Sequence, residues 1–214
     1  LDNPIHTDRK NALKRFENKG FPTKKDELWK YTSLKSIIQK DYSLSVKSNP
    51  HVGLKDIEKY SINDIDSYKI VFVDGVFNPF LSNTTHDGMD ICVLSAALSK
   101  TKYKKTITKY FNKIVPDDQS LASLNTSYTK EGAYIHIPKS VLPEDPVQIL
   151  HFSSGKNKPL WLQPRNIIIV EENARVEIIE RHQSLRSHDG ATNSLTEIYA
   201  CLLYTSDAAD DEER

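Results

Sequence analysis

The sequence has few cysteines and no long apolar run. It contains two cysteines, Cys92 and Cys201, in 214 residues. They are too few for a disulfide framework and are not spaced as a metal motif, and Cys92 lies in a short apolar run typical of a packed core thiol. No window approaches the roughly 18 consecutive apolar residues of a membrane span, and no secretory signal is visible. These absences predict a protein of the reducing cytosol.

Motifs of self-contained catalytic sites are also missing. Neither GxxxxGK[ST], GxGxxG nor GxSxG occurs, which argues against a glycine-rich phosphate loop and against an α/β-hydrolase serine site. The seven histidines stand singly. His136 and His151 are the best metal pair because they lie on adjacent predicted strands, but a structural or surface role is favoured for both. We predict no catalytic residue and no metal ligand, and the sequence identifies no cofactor-binding residue.

The N-terminal segment has the pattern of two successive helices. An apolar stripe at Ala12 and Phe16 indicates the first helix, which Gly20 ends. Thr23 is a predicted N-cap for a second helical segment, which extends to about Gln39 with a break near Thr32 left open. Hydrophobic residues at helical spacing are expected to form its buried face: Leu28, Tyr31, Leu34, Ile37 and Ile38.

Turn and strand signals follow in the next hundred residues. Residues 43–56 are predicted to be a loop, and residues 69–80 a hairpin whose turn is Asp74-Gly75. A short strand is predicted at 91–94 and a helix at 120–130. The composition, with 38% hydrophobic and 27% charged residues, is ordinary for a chain that folds.

A lysine-rich segment allows two interpretations. On a helix, Tyr103, Ile107, Tyr110 and Ile114 fall on one face. The favoured interpretation is an amphipathic helix with its aromatic face in the core. The alternative function is a nucleic-acid-binding module that uses residues 100–113, since lysines neutralise phosphates and aromatics stack on bases. The segment contains no acid and six lysines: Lys100, Lys102, Lys104, Lys105, Lys109 and Lys113.

Beyond Gly132 the chain consists of short strand-length runs separated by proline-rich or polar corners. The pattern leaves a hairpin meander, a sandwich and a coil of parallel rungs open. A carbohydrate-active enzyme would need paired carboxylates, but Glu177 and Glu180 have an odd separation that puts them on opposite faces of a strand. The runs are 134–137, 147–152, 166–170, 176–179 and 195–199.

Several segments resemble one known family. Residues 20–32, GFPTKKDELWKYT, resemble a signature near the start of SufD proteins, which are scaffold subunits of the Suf iron–sulfur cluster assembly machinery. Residues 71–77 resemble the family's hairpin, and residues 123–126 with 132–138 resemble the start of its core. Residues 164–174, PRNIIIVEENA, resemble a rung and corner of that core.

The resemblance implies an α+β N-terminal helical region over residues 1–118 and the first part of a right-handed parallel β-helix over residues 119–200. It implies a non-catalytic scaffold subunit that works with a SufB-like scaffold and a SufC-like ATPase. An iron–sulfur cluster is implied for the full complex, and none is expected on this fragment. Trp29 and Tyr31 are expected to be aromatic packing anchors.

The end of the chain departs from the family. Residues 201–214 look like translated read-through of a sequencing adapter, so we interpret them as a non-native tail and do not count Cys201 as a ligand. The remaining rungs, the SufB-pairing strands and the SufC-docking helices are expected to be missing, and the truncated β-helix to be incomplete at its C-terminus. An uncapped last rung exposes unpaired edges and an apolar interior, so the isolated chain is expected to self-associate.

Overall fold

The computed structural model combines helices with mixed parallel and antiparallel sheets, an α+β architecture. It describes residues 4–44, 52–62, 65–86, 88–156 and 158–201. Half of the predicted loop at 43–56, namely residues 45–51, and all of the tail beyond Cys201 therefore lie outside the described residues. No helix in the described ranges has both the length and the apolar character needed to cross a membrane.

Six α-helices and ten β-strands make up the described chain. The helices are α1 His6–Lys19, α2 Lys35–Ile38, α3 Leu54–Ile57, α4 Leu94–Ser99, α5 Thr101–Tyr110 and α6 Ser120–Tyr128. The early strands are β1 Tyr68–Val73, β2 Val76–Phe77, β3 Asp90–Val93, β4 Ala133–Ile137 and β5 Val147–Ser153. The later strands are β6 Trp161–Leu162, β7 Arg165–Val170, β8 Ile178–Ser184, β9 Ala191–Thr192 and β10 Leu195–Ala200.

The local predictions for the first helix and the hairpin are confirmed. Helix α1 buries Ala12 and ends at Gly20, which has a φ of +71° and donates its N–H to the Phe16 carbonyl at 2.7 Å. Strands β1 and β2 pair antiparallel around Asp74 and Gly75, whose φ angles of +50° and +76° are those of a tight hairpin turn. The strand at 91–94 and the helix at 120–130 are also present, as β3 and α6.

The predicted second helical segment is broken near Thr32, as the sequence allowed, but both of its parts are shorter than one continuous helix would be. After Thr23 the chain forms a 3₁₀ turn at Glu27–Trp29 and then the four-residue α2. The Asp26 carboxylate accepts the Thr23 N–H at 2.7 Å, which closes a tight local turn. Leu28 and Tyr31 are 81% and 91% exposed, so Tyr31 is not a packing anchor. A helical period forms a long helix only when tertiary packing covers its apolar face, and here that face points to solvent.

Beyond Gly132, consecutive strands lie in different sheets. The strand orders are β2-β1-β5-β8 and β10-β7-β4-β3, and β6 pairs with β9. From β4 onward each strand pairs in parallel with the third strand after it. The hairpin meander is therefore wrong, and both four-stranded sheets keep two edge strands, so the described strands form no closed barrel.

The register of the parallel pairs repeats at a nearly constant interval. Tyr134 lies opposite Ile167, which lies opposite Glu197, so the offsets are 33 and 30 residues. Val147 lies opposite Ile178, an offset of 31. Residues that are about 30 positions apart in the sequence are thus neighbours in space. The division of the chain at 118 and 200 stays a prediction, since β1 and β3 share sheets with β5 and β4.

The core is layered. Apolar side chains from both four-stranded sheets meet in the middle, with Ile149 from the first sheet and Ile135 from the second both fully buried. Helices α4 and α5 pack on the outer face of the second sheet, where Tyr103 contacts the buried Tyr134. Ile57 of α3 packs on the outer face of the first sheet. This layering decides which side chains of each strand reach the interior.

Strand β8 is longer and more polar than predicted. The sequence predicts a strand at 176–179, but β8 runs from Ile178 to Ser184 and pairs with the whole of β5. Its polar second half, ERHQS, lacks the apolar signal of a buried strand. A polar sequence is tolerated here because β8 is an edge strand of its sheet among the described strands.

Candidate functional site

A cavity of about 470 Å³ opens beside the polar half of β8. The β1–β2 turn forms part of its wall, and the end of α6 with the residues that follow forms another part. His151 of β5 and His182 of β8 both face this space. Other lining residues include Asp74, Gly75, Tyr128, Glu131 and Gln183. The cavity therefore brings together parts of the chain that are far apart in sequence.

The two histidines belong to a ladder of stacked rings. In the sheet register, Phe72 lies opposite His151, and His151 lies opposite His182. The ring centroids of Phe72 and His151 are 4.8 Å apart, and those of His151 and His182 are 4.6 Å apart with an angle of 5° between the rings. Parallel pairing produces this ladder because residues in register point to the same side of the sheet. His151 is buried, whereas His182 is exposed.

Glu180 completes the cluster from the same face of β8. It precedes His182 by two residues, so both side chains point to the same side of the strand. Its Oε1 atom lies 2.9 Å from His182 Nε2. The same carboxylate accepts hydrogen bonds at 3.0 Å from Asn166 Nδ2, at 3.1 Å from Ser194 Oγ and at 2.8 Å from Thr196 Oγ1. The carboxylate is therefore fixed in position by four polar contacts.

Burial and neighbouring charge set the protonation of the cluster. Burial, followed by the proximity of His182, lowers the pKa of His151 well below its usual range, so the ring stays neutral at physiological pH. Burial alone would raise the pKa of Glu180, but hydrogen bonds from His182 and Thr196 outweigh it and lower that pKa. The carboxylate is thus ionised next to a neutral, buried imidazole.

Within the described residues, the potential ligand atoms of these three side chains come close enough to hold a metal ion. They all lie within 4.8 Å of one another. The structure does not bring the predicted pair together. His136 Nε2 lies 2.9 Å from Glu171 Oε1, and His136 Nδ1 lies 3.7 Å from Asp90 Oδ2, in the other four-stranded sheet. A Glu-x-His pair on one strand face was the available sequence signal for Glu180 and His182.

A second polar centre lies under the helices that cover the second sheet. Arg165 and Glu197 form an ion pair at 2.5 Å, with side chains 0% and 1% exposed. Arg165 also donates to Thr126 Oγ1 at 2.9 Å, and its guanidinium lies 4.7 Å from the centre of the Phe111 ring. In the sequence Arg165 stands out only as part of the motif at residues 164–174, because its partners in this network are distant along the chain. Its groups are enclosed and mutually bonded, which indicates a structural role.

The lysine-rich segment has the structure of the favoured interpretation. Tyr103 and Ile107 of α5 are buried, and the following Phe111 is fully buried. The rings of Tyr103 and Phe111 are therefore in the core and not available to stack on bases, whereas Tyr110 is half-buried against Tyr199. The prediction for Ile114 is wrong: it is 54% exposed, because α5 ends at Tyr110 and does not carry the helical face that far.

The two cysteines lie outside the histidine and glutamate cluster. Cys92 is half-buried and packs against the core beneath α4 and α5. Burial raises the pKa of its thiol to about 11, so it is a protonated, weakly nucleophilic group at neutral pH. This agrees with the prediction of a packing role. Cys201 is exposed.

Comparison with known proteins identifies one family. The profile of the SufBD protein N-terminal region matches residues 2–149. An iron–sulfur cluster assembly SufBD family protein of Synechocystis is 24% identical over 187 residues, which cover 87% of this chain and 41% of that protein. The iron–sulfur cluster assembly protein SufD of Escherichia coli is 24% identical over 179 residues, covering 81% of this chain and 38% of that protein.

A third relative matches a shorter stretch. The iron–sulfur cluster assembly protein SufD of Bacillus subtilis is 26% identical over 109 residues, which cover 50% of this chain and 24% of that protein. The chain thus spans about two fifths or less of the length of these relatives. The matched family profile describes the N-terminal region of SufBD proteins.

Proposed function

The chain belongs to the SufBD family, and on that premise we propose that it is part of a SufD-like, non-catalytic scaffold subunit for iron–sulfur cluster assembly. The observation that carries the proposal is the match of the family profile to residues 2–149. Two relatives named SufD, from Escherichia coli and Bacillus subtilis, support the SufD-like assignment. Membership of the family supports a role in iron–sulfur cluster assembly, and our proposal adds that this role is that of a scaffold.

The proposed architecture of the second half is a right-handed parallel β-helix that is incomplete at its C-terminal end. Parallel pairing of each strand with the third strand after it supports this arrangement, as do offsets of 33 and 30 residues between paired strands. Such a coil is stabilised by neighbouring turns and offers long, regular surfaces for partners. An assembly scaffold requires surfaces of this kind.

The buried network around Arg165 supports a scaffold role. It connects α6, through Asn125 and Thr126, to β7 and β10. Asn125 Nδ2 also donates to the Pro164 and Asn193 carbonyls, at 2.8 and 2.7 Å. The network therefore fixes a helix across two successive turns of the strand coil, which favours a rigid frame over a mobile catalytic centre.

The proposed partners are a SufB-like scaffold and a SufC-like ATPase, and the proposed location is the cytoplasm. The iron–sulfur cluster is the product that the assembled complex builds, and no cluster is proposed on this chain. A nucleic-acid-binding function has less support, because Tyr103 and Phe111 are buried and cannot serve as stacking platforms.

Co-purification tests the proposed function. The full-length reading frame that contains this chain is co-expressed with the SufB-type and SufC-type subunits of the same source and analysed by gel filtration. We expect the three subunits to elute as one complex at physiological salt. Elution of the full-length protein by itself, while the other two subunits assemble without it, would contradict the proposal.

A nucleic-acid titration of the same full-length protein tests the alternative function, nucleic-acid binding. Binding to single-stranded DNA or RNA that falls steeply with salt would favour the rival, since counterion release gives phosphate contacts that dependence. We expect no such binding at physiological salt.

A further inference from the structure

Three potential metal ligands come together at the ladder of stacked rings. His151 and His182 are opposite each other on parallel neighbouring strands, and Glu180 shares the face of His182. Their candidate ligand atoms all lie within 4.8 Å of one another. For metal–ligand distances of about 2.1 Å, ligand atoms of a tetrahedral site lie about 3.4 Å apart. The most widely separated of these atoms therefore need to approach by at most about 1.4 Å, whereas Glu180 Oε1 and His182 Nε2, which are 2.9 Å apart, need to separate slightly.

His182 can supply most of this adjustment. The rings of His151 and His182 are nearly parallel, at an angle of 5°, so one ring must tilt before both nitrogen lone pairs point at one ion. The His182 side chain is 36% exposed and lies on an edge strand, whereas His151 is enclosed by Phe72 and the sheet. Among the described strands none covers the outer side of β8, and the χ2 torsion of His182 is broad, so in the 214-residue chain its ring has room to tilt.

His151 provides an independent indication that a ligand belongs here. Its Nε2 atom is buried and has no hydrogen-bond partner among the described residues. The whole residue is only 7% exposed, yet it lines the cavity. Buried polar atoms of folded proteins almost always have a partner. A metal ion shared with the Glu180 carboxylate and the His182 imidazole would provide one for His151 Nε2.

The surroundings of Glu180 are those of an oriented metal ligand. Asn166, Ser194 and Thr196 all donate hydrogen bonds to its carboxylate. Outer groups of this kind hold a ligand in position and account for much of the affinity of a metal site.

The type of ligand determines the type of ion. Two imidazole nitrogens and one carboxylate oxygen suit a borderline first-row divalent ion such as Fe²⁺, Co²⁺ or Zn²⁺. Ca²⁺ and Mg²⁺ prefer sites made of oxygen, and iron–sulfur clusters are held mainly by thiolates, which this group lacks. Three protein ligands leave at least one coordination position open, on the side where His151 and His182 face the cavity.

We propose that His151, Glu180 and His182 form a binding site for a single first-row divalent transition-metal ion with an open position toward the cavity. The site goes beyond the scaffold role and does not depend on it. It also departs from the sequence-based expectation of no metal ligand, because the register between β5 and β8 creates the cluster. His136, with carboxylates on both ring nitrogens, is the natural comparison within the same chain.

Titration with Co²⁺ tests the proposal directly. The metal-free 214-residue chain is titrated with Co²⁺, and the visible d–d absorption and its competition by Zn²⁺ and anaerobic Fe²⁺ are measured. We expect one ion per chain. His151→Phe retains a ring that stacks on Phe72 but removes both nitrogens, and we expect it to weaken binding at least about 100-fold. The matched control is His136→Phe. Because His136 lies outside the proposed site and supplies no ligand, this change is expected to alter the Kd for Co²⁺ less than about twofold.

A second variant and a second measurement keep the test decisive. Glu180→Gln retains the size of the side chain and removes its charge, and we expect it to weaken Co²⁺ binding at least about tenfold. Circular dichroism checks that each variant is folded, and metal binding is compared only among folded proteins. Absence of Co²⁺ binding by the folded unmutated chain, or equal binding by it, His151→Phe and Glu180→Gln, would overturn the site.

Discussion

At the scale of single residues, the ion pair between Arg165 and Glu197 shows how burial changes the contribution of a charged side chain to stability. Both side chains are almost completely enclosed. Arg165 has additional partners in Thr126 and Phe111, so its charge is solvated by the protein itself. Removal of one partner from such a pair leaves the other as an uncompensated buried charge. Exposed pairs lack this penalty because water replaces the lost partner.

We expect Glu197→Gln to lower the free energy of unfolding by about 3 to 5 kcal/mol. The change keeps the shape of the side chain but leaves the guanidinium of Arg165 buried without its counter-charge. Urea unfolding followed by tryptophan fluorescence measures the loss.

The control is Glu177→Gln. Glu177 pairs with Arg175 at 2.8 Å, but the two side chains are 66% and 77% exposed. Its loss is expected to stay below about 1 kcal/mol. Equal losses for Glu197→Gln and Glu177→Gln would show that enclosure of the pair does not matter.

At the scale of elements, the start of β4 is fixed by a close approach between two backbones. The Gly132 carbonyl accepts the N–H of Leu94, and the Arg165 N–H donates to the neighbouring Glu131 carbonyl at 3.1 Å. A Cβ atom at Gly132 would lie 1.9 Å from the Arg165 carbonyl oxygen. Because that atom belongs to the backbone of β7, no side-chain rotation relieves the clash. Glycine is therefore required here for space.

We expect Gly132→Ala to destabilise the protein by about 3 kcal/mol or more, because β4 and β7 must separate to admit the methyl group. Thermal unfolding followed by circular dichroism checks this. In the matched control, Gly53→Ala, the new Cβ meets Asp56 Oδ2 at 3.9 Å and no other atom of the described residues within 4 Å. That change is expected to stay within about 1 kcal/mol. A similar Tm for both variants would contradict the close-approach explanation.

At the scale of the whole molecule, exposure increases toward one end of the stacked strands. Ile135, Ile168 and Ile198 are in register on β4, β7 and β10, on the face that points between the two sheets. Ile135 and Ile168 are 0% and 1% exposed, whereas Ile198 is 56% exposed. The ladder of Phe72, His151 and His182 follows the same trend. Among the described strands, β8 and β10 are edges of their sheets and carry this exposed end.

An open edge with apolar side chains favours association with other chains. We therefore expect the 214-residue chain to self-associate at micromolar concentration, as measured by light scattering over a concentration series. Ile198→Lys places a charge at this end and is expected to shift the distribution toward monomer. Leu142→Lys, at a loop position that is 65% exposed, should have little effect. A sharp monomer peak for the unmutated chain would refute this expectation.

Much of the local structure could be predicted from the sequence. The Asp74-Gly75 turn, the end of α1 at Gly20 and the strand runs beyond Gly132 depend on backbone preferences and hydrophobic period, which neighbouring residues encode. The family resemblance through residues 20–32 also came from the sequence, and the family match confirms it. The same hydrophobic period predicted a buried face at Leu28 and Tyr31, which are exposed. The period does not show whether another part of the protein covers a helical face.

The sequence by itself thus determined most of the longer strands, the hairpin turn and the family, but neither the polar half of β8 nor the short strands β6 and β9. Only the tertiary structure decided which distant side chains meet. Glu197 reaches Arg165 across 32 residues, and His182 stacks on His151, because parallel strands align at intervals of about 30 residues. A shift of register by one residue would turn these side chains to the opposite face of the sheet. Register depends on packing of the whole core, so no local pattern contains it.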